Sequence, residues 1–164
     1  MELRDLTETE RKLVVFAAYG RTMLHAHALE FRLATILSVR IMFVDAPEQE
    51  RENRIKRIRE STFGVLIKDF VIECAPNEDI QEELDNMLFF RNELTHRISK
   101  TILLAAQKPE WEVRVATELE EMSQMFIETE ELLEKFVEEL RAKIGWKEEI
   151  MQEFAARMYP GISA

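Results

Sequence analysis

The sequence predicts an all-α fold, an up-and-down helical bundle with long first, motif and C-terminal helices. Glycine and proline together number only eight in 164 residues. A sandwich or barrel needs many more turn residues than that. Apolar residues recur at intervals of three and four over long stretches, the period of one face of a helix. Apolar residues make up 46% and charged residues 33%, the balance of a soluble chain that buries a core of its own. No repeat, low-complexity tract or linker divides the chain. Residues 1–164 are expected to form one domain, with its core over 8–144 and a short C-terminal helix over 147–158.

The elements follow in order. Thr7 to Glu10 reads TETE, a capping box that opens a helix. Leu13, Phe16, Met23, Phe31, Ala34, Leu37 and Ile41 then carry one helix over 8–44. It is apolar on more than one side and is expected to be central or to face a second copy. Pro47 suits the first turn of a second helix. ERENRIKRIRE (50–60) has only Ile55 and Ile58 apolar, so this helix should lie exposed on the body. STFG (61–64) offers another N-cap before VLIKDFVIEC. In isolation that run reads as strand or helix, but no other segment supplies a partner strand, so a buried helix is expected. Asn77 can cap the next helix, with Glu78 and Asp79 at its positive end. Its seam runs Ile80, Leu84, Met87, Arg91, Leu94, Ile98, Thr101 and Ala105. QKPEW (107–111) breaks it. A last long seam follows through Leu119, Met122, Phe126, Thr129, Leu133, Phe136 and Leu140, ending near Gly145. These two seams suit antiparallel packing. Ile150, Met151, Phe154 and Met158 place the final short helix on the body, and YPG ends it.

Net charge is −10, with fourteen acidic and six basic groups in residues 110–164. That excludes a broad nucleic-acid platform, which needs Lys and Arg, but leaves room for one small basic site. Cys74 is the only cysteine. No intrachain disulfide or cysteine-based zinc site can form, and a reducing compartment is the natural setting. MELRDLTETERK is polar before any apolar run, unlike a secretory signal. The run LVVFAAY (13–19) falls short of the roughly 20 residues of a spanning helix. A cytoplasmic protein without membrane contact is expected.

FRNELTHRI (90–98) carries the chemistry. A guanidinium in an apolar seam is costly unless it is paired or faces a wet cleft, which makes Arg91 the most informative position. Asn92 and His96 lie four apart and share a helix face. An imidazole beside an amide can serve as acid and base, and an arginine can fork onto two phosphate oxygens. Together they can cleave RNA without metal. At about 100° per residue, however, Arg91 and His96 point about 140° apart on an ideal helix. Convergence needs a curled arginine, a distorted helix or two copies meeting across a two-fold axis.

RNELTH fits the R-x(4–6)-H motif of the HEPN superfamily, and the surroundings resemble it too: a long first helix with ALEFRLATIL, STFGVLI before the motif helix, and long helices after it. The likeness covers about residues 8–140 in architecture. It implies an all-α bundle that dimerises through its motif helices and acts as a metal-independent endoribonuclease of a toxin–antitoxin or phage-defence system, with no cofactor. Other members have lost catalysis and bind a nucleotide or protein. By resemblance, Arg91 would stabilise the phosphate, Asn92 would orient, and His96 would be the acid/base. One toxin branch adds a tyrosine two residues after the histidine. Ile98 stands there, which separates this chain from that branch and its nucleotidyltransferase antitoxin. The expected partners are a second copy, an RNA substrate and a cognate antitoxin or regulatory protein. The alternative is a catalytically inactive bundle that binds a protein or nucleotide.

Other readings compete. Arg91 can be a structural residue paired with Glu30 or Asp85. Glu93 and His96 spell one half of a di-iron motif, but neither His25 nor His27 has a glutamate three residues before it, so no metal site is expected. His27 and Glu30 lie one turn apart and are candidate accessory residues facing Arg91. Arg51, Arg54 and Arg57, within a basic run that includes Arg59, and Arg97 beside the motif, are candidates to hold RNA backbone. Acids interleaved with that run favour internal ion pairs instead. Glu110 to Glu139 carries eleven acids, an outer bundle face or a dock for a basic partner.

Overall fold

The computed structural model describes residues 6–98, 100 and 109–144. Among the described residues five α-helices follow one another: α1 (Glu8–Met42), α2 (Glu48–Arg59), α3 (Phe63–Cys74), α4 (Glu78–Glu93) and α5 (Pro109–Ile144), with a π-helical turn, Leu94–Ile98, directly after α4. The chain is an all-α bundle, and the described residues contain no strand. Among them no helix is long and apolar enough to cross a membrane. The expected seam ends at Thr101 and Ala105, the Gly145 cap, the helix over 147–158 and the YPG stop lie outside the described residues.

Local chemistry sets most boundaries. The Thr7 backbone N–H donates to Glu10 Oε2 at 2.8 Å, and the Glu10 N–H donates to Thr7 Oγ1, completing the capping box. Pro47 takes the N-cap position of α2, with ψ 143°, one residue earlier than the expected first turn. Asn77 Oδ1 accepts from the Ile80 N–H at 3.0 Å. α3 ends on Ala75 at φ 46°, a left-handed cap without glycine, and Pro76 prevents the helix from continuing.

α1 is the central element. It packs chiefly on α5 and also meets α2, α3 and α4. The contacts Arg11–Glu112, Thr22–Leu119 and Arg32–Glu134 rise together in number, so α1 and α5 run parallel. Glu30–Arg91 and Tyr19–Leu94 run the other way, so α4 descends between the two ascents. α4 and α5 do touch, but the longer apolar face of α1 takes most of α5. Leu29, Leu33, Leu37, Phe70, Leu84, Met87, Phe126 and Leu133 are fully buried in one contiguous core. Phe70 and Phe136 meet edge to face at 5.6 Å, joining α3 to α5. α2 buries only Ile58 and lies on the surface, as its composition requires.

Candidate functional site

Arg91 completes the α4 seam. Ile80, Leu84 and Met87 before it, and Leu94 and Ile98 after it, are buried. Its side chain stays 27% exposed, and its Nε donates to Glu30 Oε1 at 2.9 Å. Among the described residues Glu30 is its only charged partner, and the pairing leaves the two terminal nitrogens unassigned. Of the two acids considered, Glu30 is the one used; Asp85 is exposed on the far side of α4. Glu30 Oε2 lies 3.3 Å from His27 Nδ1. His27, Glu30 and Arg91 therefore form one chain of polar contacts from α1 to α4.

The helix widens immediately beyond Arg91. Thr95 Oγ1 donates to the Arg91 carbonyl at 2.7 Å and also approaches the Asn92 carbonyl at 3.2 Å. Tyr19 Oη donates to the Leu94 carbonyl at 3.5 Å. Two hydroxyls thus reach carbonyls of this segment, and a hydroxyl that bonds back to its own helix in the manner of Thr95 bends it. Residues 94–98 settle into i→i+5 bonding, a form that often marks functional sites. A π turn rotates less per residue than an α turn. The step from Arg91 to His96 is therefore smaller than on an ideal α-helix. His96 is exposed, as are Asp85, Phe89 and Asn92. The structure joins Arg91 to Glu30 and, through Glu30, to His27. Asn92 and His96 stand exposed outside that chain of contacts.

A cleft of about 410 Å³ opens beside this chain of contacts, lined by His27, Glu30, Phe31, Thr35, Arg59 and Ser61 among others. Arg59 enters from the end of α2. The sequence signal for it was its place in the basic run, but nothing local brings α2 to His27. Two arginines of that run are committed elsewhere. Arg54 is paired with Glu73, and Arg57 Nη2 donates to Asp69 Oδ2 at 3.0 Å, so both pin α2 to α3. Arg51 is half-buried. The Arg97 side chain lies outside the described residues.

A second charged pair went unseen in the sequence. Arg11 Nε donates to the buried Glu112 at 2.6 Å, and Arg11 Nη1 donates to the Leu6 carbonyl at 2.6 Å. On α5, Glu120 and Glu134 pair with Arg21 and Arg32 of α1, so part of the acidic face serves helix packing. Burial raises the Glu130 carboxyl, against the lowering influence of His25 and Arg32. Burial also pushes the Cys74 thiol up to about 12. Among the described residues no group of three or more His, Cys, Asp or Glu could hold a metal ion. No family model, curated protein or solved structure matches the chain.

Proposed function

We propose that this protein is a HEPN-like, metal-independent endoribonuclease of the toxin or phage-defence kind, acting through Arg91, Asn92 and His96. The observation that carries the reading is Arg91. Its guanidinium sits at the rim of the core with Nε held by Glu30, immediately before a widened turn that bears His96. A fixed guanidinium offers its terminal N–H groups to a phosphate at little further cost in order.

In this reading His96 removes the proton of a ribose 2′-hydroxyl. The freed oxygen attacks the adjacent phosphorus, and the bond from phosphorus to the 5′-oxygen breaks. The leaving oxygen takes up a proton, leaving a 2′,3′-cyclic phosphate. Arg91 stabilises the negative charge that builds on the phosphoryl oxygens. Asn92, on the face of His96, orients the imidazole. Glu30 is a positioning residue for Arg91, and His27 steadies Glu30.

The competing reading is a silent bundle in which Glu30 and Arg91 form only a structural pair. RNA cleavage in excess chelator separates the two. Wild type should yield cyclic phosphate ends, and His96→Ala and Arg91→Ala should each lose them while keeping the helical signal. Absence of cleavage across structured and transfer RNAs, with Arg91→Ala merely less stable, overturns the ribonuclease.

A further inference from the structure

We propose that the outer face of α1 is a two-fold interface between two copies of this chain, with the α1 helices antiparallel and Gly20 of each packed against Leu24 of the other. Among the described residues this apolar face is exposed. Leu13, Phe16, Leu24 and Phe31 are 63%, 53%, 67% and 54% exposed. Ala17, Gly20 and His27 lie exposed between them. Together they make one stripe at helical spacing along the longest face of α1.

The spacing is its own mirror image. Gly20 and Leu24 lie two residues either side of Thr22, Ala17 and His27 five, Phe16 and the half-buried Ala28 six, and Leu13 and Phe31 nine. A two-fold axis across Thr22 sets each position against its mate, the isologous arrangement of symmetric dimers. Sizes complement as well. Small Gly20 and Ala17 receive Leu24 and His27, and the outer pair closes with Leu13 on Phe31. A Cβ built on Gly20 meets nothing within 4 Å, so the groove that would take the partner's Leu24 is open. Four large side chains a little over half exposed present about 400 Å² per copy, taking about 180 Å² for each. Two copies thus bring about 800 Å² of these side chains alone, with Ala17, Gly20, His27 and the flanking polar residues adding to it, toward the roughly 1,200 Å² at the lower end of specific interfaces. The exposed face of α4 is different in kind, with Phe89 alone among Asp85, Asn92 and His96.

Phe31 also lines the cleft of His27 and Glu30. The partner's α1 would thus form a wall of that cleft. The proposal stands on the surface of α1 and does not require the chemistry at Arg91.

The test is the mass of the full-length chain in solution by light scattering, with circular dichroism alongside. Wild type should be a dimer. Gly20→Arg, whose side chain has open space in one copy, should keep the helical signal and shift the protein to monomer, raising the dissociation constant at least about tenfold. Phe89→Glu should remain dimeric. Mixed Gly20→Cys and Leu24→Cys chains should cross-link to each other faster than either does to itself, with Cys74 buried and out of reach. A monomeric wild type, or a dimer indifferent to Gly20→Arg, overturns the interface. Faster linking of 20 to 20 and 24 to 24 overturns its antiparallel register.

Discussion

Replacing Glu30 by glutamine keeps the shape of the group that holds Arg91 but removes its charge. The two side chains are 20% and 27% exposed, with 2.9 Å between Nε and Oε1. Fully exposed pairs couple by about 0.2–1 kcal/mol, and stripping one partner from a fully buried pair costs about 3–5 kcal/mol. A charge-assisted hydrogen bond at this depth belongs between them. With about a quarter of each side chain in water, we expect a coupling of about 1.5–2 kcal/mol. In a chain of this size that corresponds to a Tm loss of about 3–8 °C. The assay is a double-mutant cycle in urea with Glu30→Gln, Arg91→Gln and the double variant. The double should cost clearly less than its two singles added. A coupling below about 0.5 kcal/mol would refute the idea that Glu30 fixes Arg91. RNA cleavage by the same proteins adds a second readout: Glu30→Gln should slow it by loosening the guanidinium, an effect a stability role alone would not produce.

Further outcomes are open to measurement. Arg11→Ala strands the buried Glu112 carboxylate, only 5% exposed, and should cost about 3 kcal/mol in denaturant unfolding. Ala75→Gly relieves the left-handed residue at φ 46° and should stabilise by about 0.5–1 kcal/mol. With its thiol raised to about 12, Cys74 should resist alkylation in the native protein and react only as the chain unfolds in urea. Glu130 binds its proton more readily folded than unfolded. Between the unfolded value of 4.5 and its raised native value, stability therefore rises as pH falls. Glu130→Gln should raise the Tm near neutral pH and lose that advantage in acid, and equal effects at both would contradict the burial argument.

Much of this fold was written in local pattern. The TETE cap, the Asn77 cap, and the seams through Leu84 and Phe126 appear where the three-and-four spacing puts them. Arg91 announced itself as the one charged residue in a buried seam, and Glu30 was a legible candidate partner because it sits on a facing amphipathic helix. The widened turn was not legible. It depends on Thr95 and Tyr19 hydroxyls reaching ladder carbonyls, and a threonine within a helical run does not reveal which way its hydroxyl turns. The cleft was hidden for a related reason: Arg59 and His27 come to line one cleft only after α2 has docked, through the pairs of Arg54 and Arg57 with α3. Glu112 looked like one more acid on a charged face, since burial of a single glutamate depends on the arginine that α1 brings to it.

The parallel pairing of α1 and α5 has a kinetic consequence. Thr22 and Leu119 are 97 residues apart and Arg11 and Glu112 are 101 apart. At about 5–20 residues per second on the ribosome, α1 waits about 5–20 s before its principal partner emerges. The closure of so long a loop makes that contact a late one. α3 and α4 can associate meanwhile, because their contacts are nearer in sequence. During that interval the part of α1 that will meet α5, and its outer apolar face, stay unprotected. Nascent chains crowded on one message are where that exposure would first lead to aggregation or to premature pairing of two α1 helices.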